Sequence, residues 1–435
     1  MKTLNSVLYL CISLTICCSG AANLQSTNAA LQPAREFNVR DFGAKGDGES
    51  FDTEPIQKAL DECGKAGGGI VRVPPGTYLI KPVSLRGQTT LVLESGAVLQ
   101  ATTNHQAFMK EPGDWQKAKG SGDFIPLISG VDLTNVAITG NGTIDGAGQV
   151  WWGPAEEARR KTSGFTLPRP RLIILTRCKN VRIKGVTLRN APSFHLVPTD
   201  CEDVWIEGVT ILAPDESPNT DGIDPSVSRR VVITNCVIDV GDDNVAIKSG
   251  RKMPGREFAC EDIIVANCVF RHGHGMSIGS ETVGGVRNVL VKNCLLEGTE
   301  NGLRIKTARG RGGLIENIVY TNITLNNCRP YPITITCYYP KIPDTDTPQA
   351  VTPETPKIRN VRIRDVRGTG VRAAGVIIGL PESIIEDVLL ENVELAAPRG
   401  LTVRNAKAVQ LKDVRLKIDQ GEPLIVQDAE VQRLP

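Results

Sequence analysis

The chain has 435 residues, with 50 Lys and Arg against 48 Asp and Glu, so its formal net charge is only +2. This balance excludes the strongly basic character of nucleic-acid-binding proteins, and attraction to an anionic partner requires a local patch. The length suits two or three average domains, or one long fold.

The first element is an N-terminal targeting segment. One lysine precedes an apolar stretch at 7–16, and small residues follow. This pattern predicts a signal peptide over 1–22, cleaved after Ala21 or Ala22, and a linker over 23–35. The stretch is too short to span a bilayer. We therefore expect a secreted or periplasmic protein with no stable membrane span.

Cysteines near the signal leave one alternative open. A lipoprotein anchor at Cys17 or Cys18 is less consistent with the sequence, because Cys17 follows Ile16 rather than a small residue. Nine of the 12 cysteines remain after the signal, and an odd number implies at least one free thiol. Four follow an asparagine and are expected to be small buried residues at equivalent positions: Cys236, Cys268, Cys294 and Cys328.

One amphipathic helix is predicted from Thr53 to Gly64, with Asp52 or Thr53 as its N-cap. We expect it to cover the open apolar end of the repeats that follow. Its apolar residues recur at helical spacing: Ile56, Ala59, Leu60 and Cys63.

A glycine-rich stretch, "GNGTIDGAG" at 140–148, superficially resembles a dinucleotide-binding loop. Such a loop requires a following helix within a βαβ unit. We expect neither after residue 148, so the stretch predicts no cofactor.

A repeated phrase occupies most of the chain. Examples are "RVVITNCVI" (230–238), "EDIIVANCVF" (261–270), "RNVLVKNCLL" (287–296) and "ENIVYTNITL" (316–325). A second alternating phrase follows each copy, at intervals between 22 and 43 residues. The second phrases align on their first apolar residue: Ile223, Val245, Met276, Leu303, Ile333, Val376, Leu401 and Leu424.

Short alternating strands repeated at this period indicate a stacked solenoid. The sequence has almost no helical periodicity that could cover a sheet. We therefore predict an all-β protein, a single right-handed parallel β-helix over 36–435, with coils about 4.8 Å apart. Two long excursions, at 250–258 and 340–357, are expected to form the walls of a groove.

The alignment brings three titratable residues into one column. Asp221, Asp243 and His274 each precede the first apolar residue of their strand by two positions, and Asp242 precedes Asp243. Strict alternation would direct the three side chains inward. We assume that the bend before each strand breaks the alternation, so that they face a groove.

Charged residues of the strands themselves share the outward register. Arg304 and Lys306 are two positions apart and leave the same strand face. Asp224 and Lys248 fall on the same register. Acids, a histidine and cations thus converge on one strip of the wall.

Each of these residues alone has a structural explanation. The acids are common in turns, the histidine can be a local hydrogen-bonding residue, and the cations can belong to an exposed strand face. The four histidines, at 105, 195, 272 and 274, lack the spacing of metal ligands, so no metal is predicted. The convergence favours catalysis. Neighbouring carboxylates shift each other's pKa values apart and can supply an acid and a base for glycoside hydrolysis. We expect repulsion to keep Asp242 protonated while Asp243 accepts a proton.

Four motifs in order resemble the polygalacturonases of glycoside hydrolase family 28: "NTD" (219–221), "GDD" (241–243), "GHG" (273–275) and "RIK" (304–306). The resemblance extends over most of the chain, through three further stretches: "FNVRDFGAKGDG" (37–48), "GGGIVRVPPGTYL" (67–79) and "IDGAGQVWW" (144–152). It implies a right-handed β-helix that hydrolyses α-1,4-galacturonosyl bonds with inversion.

The resemblance also implies roles for the site residues. Asp242 is expected to protonate the leaving oxygen, Asp221 and Asp243 to hold and deprotonate water, and His274 to tune the acid. Arg304 and Lys306 are expected to bind the substrate carboxylate, with a tyrosine that is Tyr339 or its neighbour Tyr338. The predicted substrate-binding residues are Asn219, Asp224, Lys248, Arg304, Lys306 and Tyr339.

The expected substrate is pectin or polygalacturonate. The "GHG" motif favours homogalacturonan over rhamnogalacturonan, and the two loops favour action at chain ends, because they would narrow one end of the groove. We also expect a monomer without cofactor. A hydrolase of rhamnogalacturonan or another uronide polymer, a pectate lyase and a non-catalytic polysaccharide-binding β-helix remain as alternatives, since fold alone does not determine function.

Overall fold

The computed structural model describes residues 35–162, 166–250 and 259–435. The predicted signal peptide, 1–22, and all of the predicted linker except Arg35 lie outside these residues. So does 251–258, which is most of the first predicted loop.

The described chain is a right-handed parallel β-helix, as predicted. Three parallel sheets run along its length, and each full coil passes through the third sheet, the first sheet and the second sheet in that order. Apolar side chains alternate inward on most strands of the first and second sheets, and the buried apolar residues form one continuous core. Parallel pairing between successive coils satisfies the backbone hydrogen bonds of each strand.

The first sheet contains these strands, of which those from Thr134 onward carry the repeated phrase: Glu36–Asn38, Gly69–Val73, Thr89–Leu93, Thr134–Gly140, Lys179–Lys184, Glu202–Glu207, Arg229–Thr234 and Cys260–Ala266. The second sheet contains shorter strands: Asp47–Phe51, Gly76–Ile80, Ala97–Ala101, Thr143–Asp145, Thr187–Arg189, Thr210–Leu212, Val237–Asp239 and Val269–Phe270.

Later strands continue from one sheet into the next. Those that span the first and second sheets are Val286–Glu297, Leu314–Cys328, Lys357–Gly370 and Ile385–Ala397. The last two strands begin in the third sheet: Leu401–Ile418 and Leu424–Leu434.

The third sheet carries the predicted site residues. Its strands are Val83–Ser84, Ile128–Val131, Ile173–Thr176, Leu196–Thr199, Val245–Ile247, Met276–Gly279, Asn301–Lys306, Tyr331–Thr336 and Gly375–Ile378. Between Leu196 and Val245 the coil pairs only through isolated bridges at Ile223 and Ser226.

The bend from the first to the second sheet repeats one device. Asn267, Asn293 and Asn322 each have a positive φ of 53–56°, a conformation that asparagine tolerates better than most residues. Their side chains form a ladder, in which Asn293 donates to Asn267 at 3.1 Å and Asn322 donates to Asn293 at 2.9 Å. Each coil therefore turns at the same place.

The register of the third sheet agrees with seven of the eight aligned residues. The exception is Val376, because Gly375 pairs with Ile333 and with Leu401. A Cβ at Gly375 would lie 2.5 Å from the carbonyl oxygen of Ile333, so a glycine occupies the aligned position. The apolar run "GVII" hid this one-residue shift, because it has no alternation.

The predicted helix is present and spans Thr53–Lys65. Its apolar residues 56, 59, 60 and 63 are fully buried, and it packs against the first coil, as predicted. Asp52 occupies the N-cap position, but its carboxylate accepts hydrogen bonds from the backbone N–H groups of Lys45 and Gly46 instead of capping the helix.

The expectation that no helix follows residue 148 was wrong. A second helix, Gln149–Lys161, begins directly after Gly148 and buries Trp151 and Ala155. Gly153 and Pro154 inside this helix are unfavourable to helix formation, which explains why the sequence pattern did not indicate it. Short 3₁₀ helices complete the described elements: Val39–Phe42, His105–Phe108, Trp115–Lys117 and Ser121–Asp123.

All nine cysteines of the described residues are buried and none forms a disulfide. Cys236, Cys268 and Cys294 occupy one column of the bend after the first sheet, as expected. Cys328 does not belong to that column: it ends its strand opposite Gly370, whereas Ile323 pairs with Cys294. The preceding asparagine was a misleading signal, since left-handed asparagines also occur at the later bend.

Within the described ranges, no helix is long and apolar enough to cross a membrane.

Candidate active site

The predicted site residues come together on the third sheet and at the bends that lead into it. Ile223 bridges to Val245, which pairs with Met276. The residues two positions earlier are therefore in register, and these are Asp221, Asp243 and His274. The predicted backbone column is present.

Asp243 faces side chains of the next two coils. Its Oδ1 accepts from the Ser277 hydroxyl at 2.7 Å, and its Oδ2 lies 2.7 Å from Lys306 Nζ. Arg304 Nη1 lies 3.6 Å from the same carboxylate. Burial raises the pKa of Asp243, but the positive charges of Lys306, Arg304 and His274 together outweigh it and leave the pKa below its usual value. Asp243 is therefore a buried carboxylate that remains ionised.

Asp221 belongs to a second buried cluster. Lys248 Nζ lies 3.0 Å from Asp221 Oδ2 and 2.8 Å from Asp224 Oδ2. Burial, reinforced by the charge of Asp224, raises the pKa of Asp221 well above its usual value despite Lys248. The Asp221 Oδ1 atom is buried without a hydrogen-bond partner in the described protein. It is therefore an acceptor that the described protein leaves unsatisfied.

Asp242 forms a charge relay with His274 and Glu300. His274 Nδ1 lies 2.9 Å from Asp242 Oδ1, and its Nε2 lies 2.8 Å from Glu300 Oε2. Asn219 donates to the other oxygen of Asp242 at 3.3 Å. The backbone of His274 is in the predicted column, but its side chain contacts Asp242 rather than Asp243.

The protonation state of Asp242 differs from the expectation. Burial favours the neutral acid, but the hydrogen bond and the positive charge of His274 outweigh it and lower the pKa of Asp242. Burial lowers the pKa of His274, and its two carboxylate partners more than compensate and raise it to about 11. Repulsion from Asp243 does not keep Asp242 protonated; the proton of the pair resides on His274.

A buried arginine supports this relay. Arg169 is 2% exposed and donates to Asn219 Oδ1 at 3.0 Å and to the carbonyl oxygens of Pro192 and Pro218. Burial lowers its pKa to about 10, against the opposing charge of Asp242. Arg169 fixes the amide of Asn219, so that the NH₂ group is directed at Asp242.

The structure distinguishes the two tyrosines. Tyr339 lies under the cations of the site, with Lys306 Nζ 5.2 Å and the Arg304 guanidinium 5.8 Å from its ring centroid. Tyr338 is buried, and its hydroxyl donates to Asp346 at 2.7 Å. Tyr339 is therefore the tyrosine that borders Arg304 and Lys306, the two cations next to Asp243.

The donor atoms of Asp242, Asp243 and His274 lie within 4.8 Å of one another, a spacing that a metal ion could bridge. His274 Nδ1 is already directed at Asp242, and Lys306 is in contact with Asp243. Protein cations thus occupy the place of a metal, and the donor set does not fit one.

Three contributing residues were not predicted from the sequence: Ser277, Arg169 and Glu300. Ser277 contacts Asp243, Glu300 contacts His274 and Arg169 contacts Asn219, and none of the three belongs to a recognisable motif. Glu300 had one usable signal. It precedes Leu303 by three positions, just as Asp242 precedes Val245 by three, and Val245 and Leu303 both pair with Met276.

The arrangement combines two ionised carboxylates, Asp242 and Asp243, with a protonated histidine, buried cations and Asp221, whose raised pKa favours the neutral acid. It can donate a proton from one side and hold or deprotonate water on the other. Lys306, Arg304 and Tyr339 provide an adjoining place for an anionic, ring-shaped ligand.

Comparisons with known proteins agree with this chemistry. The sequence profile described as "Glycosyl hydrolases family 28" matches residues 63–417. The chain is 37% identical over 311 residues to an endo-polygalacturonase of Pectobacterium carotovorum subsp. carotovorum, covering 68% of this chain and 74% of that protein. It is 34% identical over 308 residues to a probable polygalacturonase of Vitis vinifera, covering 68% and 62%.

Solved structures show the same fold. The hyperthermoactive exopolygalacturonase of Thermotoga maritima superposes with a TM-score of 0.76 at 28% identity, covering 88% of this chain and 92% of the other. The polygalacturonase of Erwinia carotovora ssp. carotovora superposes with a TM-score of 0.67 at 30% identity, covering 91% and 97%. Both an exo-acting and an endo-acting enzyme thus resemble this chain.

Proposed function

This chain belongs to glycosyl hydrolases family 28 and is a glycoside hydrolase, and from that premise we propose that it cleaves the α-1,4-galacturonosyl bonds of homogalacturonan with inversion. The observation that carries the proposal is the pairing of a proton-donating relay, Asp242 with His274, and two further carboxylates in one groove. The cations beside them suit a sugar that carries a carboxylate.

Asp242 is the general acid in this proposal. In the free protein the proton of the pair resides on His274. A bound uronate chain excludes water and adds negative charge, and both effects raise the pKa of Asp242. The proton then passes from His274 Nδ1 to Asp242 and on to the leaving oxygen. Glu300 holds the imidazole in position through Nε2.

Asp221 and Asp243 hold and deprotonate the attacking water. Asp243 remains ionised beside Lys306 and accepts a hydrogen bond from the water. The raised pKa of Asp221 makes its carboxylate the stronger base once it is ionised. Its unpartnered Oδ1 is a position from which it can accept the proton. Lys248 and Asp224 hold this carboxylate in place.

Arg304 binds the carboxylate of the sugar beside the cleaved bond. Its Nη1 is buried and has no hydrogen-bond partner among the described residues, so an incoming carboxylate satisfies it. Lys306 adds positive charge, and Tyr339 provides a face for the sugar ring. Asn219 contributes an amide next to Asp242.

The predicted preference for chain ends remains a proposal, supported by the loop at 340–357, which borders the groove through Pro340 and Lys341. Secretion, guided by the N-terminal segment at 1–22, is proposed because the polymeric substrate lies outside the cell.

The proposal is tested by incubating the protein with polygalacturonate in EDTA. We expect new reducing ends without the absorbance of an unsaturated uronate, and initial products of inverted anomeric configuration by NMR. Chromatography of early products separates exo from endo action. An unsaturated product, or a requirement for Ca²⁺, would instead identify a lyase, and the absence of both products a binding protein.

A further inference from the structure

We propose that the groove beyond the catalytic carboxylates contains a second subsite for a uronate, formed by Tyr331, Lys341 and Arg372. The inference rests on the proposed hydrolysis of galacturonan and deepens it. It adds a requirement for a second free carboxylate on the bound chain.

The cavity that adjoins the site has a volume of about 400 Å³ and extends over three coils. Its wall begins at Arg304, which pairs with Thr334, which in turn pairs with Val376. Arg372 lies in the bend that enters this third strand. Two strand spacings, about 9.6 Å, therefore separate the Arg304 coil from the Arg372 coil along the axis. A polysaccharide lying along the axis passes both.

The charges of this cavity favour an anion. Among the described residues, neither Arg372 nor Lys341 forms an ion pair, and the guanidinium of Arg372 lies 5.9 Å from the ring centroid of Tyr331. Glu300 also lines the cavity, but it is bound to His274.

Asp344 is then the one uncompensated acid among the described lining residues. Four cations line the cavity: Arg304 and Lys306, which also contact Asp243, and Lys341 and Arg372, which form no ion pair among the described residues.

The wall that carries Lys341 is held in position before a ligand binds. Arg309 forms ion pairs with Asp346 and Glu382, both at 2.6 Å. Arg404 donates to the carbonyl oxygen of Pro343 at 2.8 Å, and Tyr338 donates to Asp346. Because the loop is fastened at these points, binding does not have to order it.

The subsite combines an aromatic face with two cations, which suits a sugar ring bearing a carboxylate. A methyl ester at that sugar removes the negative charge. The subsite therefore selects for stretches of the polymer in which the uronate at the Arg372 coil is not esterified.

The test compares Arg372→Gln with Arg367→Gln, an exposed arginine on the outer face of the second sheet. For de-esterified polygalacturonate, we expect Arg372→Gln to raise KM about fivefold with kcat unchanged, the effect of losing one partly exposed charge pair. The difference in KM between Arg372→Gln and the wild type should become smaller at high salt and on a partly methyl-esterified polymer. Arg367→Gln should match the wild type.

The proposal is overturned if the two variants have the same KM, or if Arg372→Gln loses the same factor on the esterified polymer. If the wild-type protein releases no reducing ends, the result contradicts the proposed hydrolysis but does not test the subsite. In that case calorimetric titration with polygalacturonate decides: weaker binding to Arg372→Gln supports the subsite, and equal binding overturns it.

Discussion

Two of the bends in a coil serve different purposes. At the bend after the first sheet, Asn267, Asn293 and Asn322 repeat the same residue, conformation and hydrogen bond. At the bend before the third sheet, successive coils carry different residues, such as Asp242 and then His274.

The difference between the two bends explains how a repetitive fold can carry a candidate active site. The repeated bend ties three successive coils together, because Asn293 is bonded to Asn267 and Asn322 to Asn293. The bend before the third sheet, which varies from coil to coil, then places unlike side chains about 4.8 Å apart. The residues of this variable bend do not have to set the spacing between the coils. Changes at the two bends should therefore separate catalysis from stability.

The largest effect is expected from Asp242→Asn at the variable bend. Asparagine cannot protonate the leaving oxygen, so kcat should fall roughly 10²- to 10⁴-fold, the usual contribution of a general acid. Binding of oligogalacturonate, measured by calorimetry, should persist.

Asp239→Asn is the matched control, since Asp239 lies three residues before Asp242, contacts His272 and is outside the relay. It should leave kcat unchanged. An Asp242→Asn variant with substantial turnover would contradict the acid assignment.

A smaller effect is expected from Glu300→Gln, which removes one anionic partner of His274. The pKa of His274 is raised, so its stabilising proton is fully present below about pH 6.5 and is lost as the pH rises through about 11. Without Glu300 the pKa falls, and the alkaline limb of the kcat profile should move about one pH unit lower.

Glu297→Gln provides the control for this shift, because Glu297 is exposed on the outer surface. Its alkaline limb should coincide with that of the wild type. Equal profiles for all three proteins would show that Glu300 does not set the proton affinity of His274.

The smallest effect is expected at the repeated bend. Asn293→Ala removes two ladder hydrogen bonds and places alanine at a φ of 55°, and it should lower the free energy of unfolding by about 2 kcal/mol. Asn293→Gly relieves the backbone strain and should lose less. Urea denaturation measures both, and KM and kcat should not change. Equal losses for the two variants would rule out strain as the cause.

The fold could be predicted because the repeated phrase encodes each coil locally. Alternation placed the apolar residues inside, and asparagine marked the bends. The prediction failed where these local signals were absent. The run of apolar residues at Val376 has no alternation, and the helix Gln149–Lys161 contains a glycine and a proline that normally oppose helix formation.

The site was predicted less completely, because a motif gives residues but not their contacts. The column of Asp221, Asp243 and His274 followed from register alone. The contact of His274 with Asp242, by contrast, depends on side-chain direction, and the charge of Asp242 depends on that contact. Glu300 and Arg169 act from other coils, and no local pattern marks them.

The buried cysteines have a consequence for following how such a fold comes apart. They lie at successive heights along the axis, from Cys63 in the capping helix to Cys337 beside the groove, and none of those described is cross-linked. Each thiol can react with an alkylating reagent only when its own coil opens. A time course of alkylation, read out by peptide mass, therefore reports the order in which the coils separate, without any introduced label.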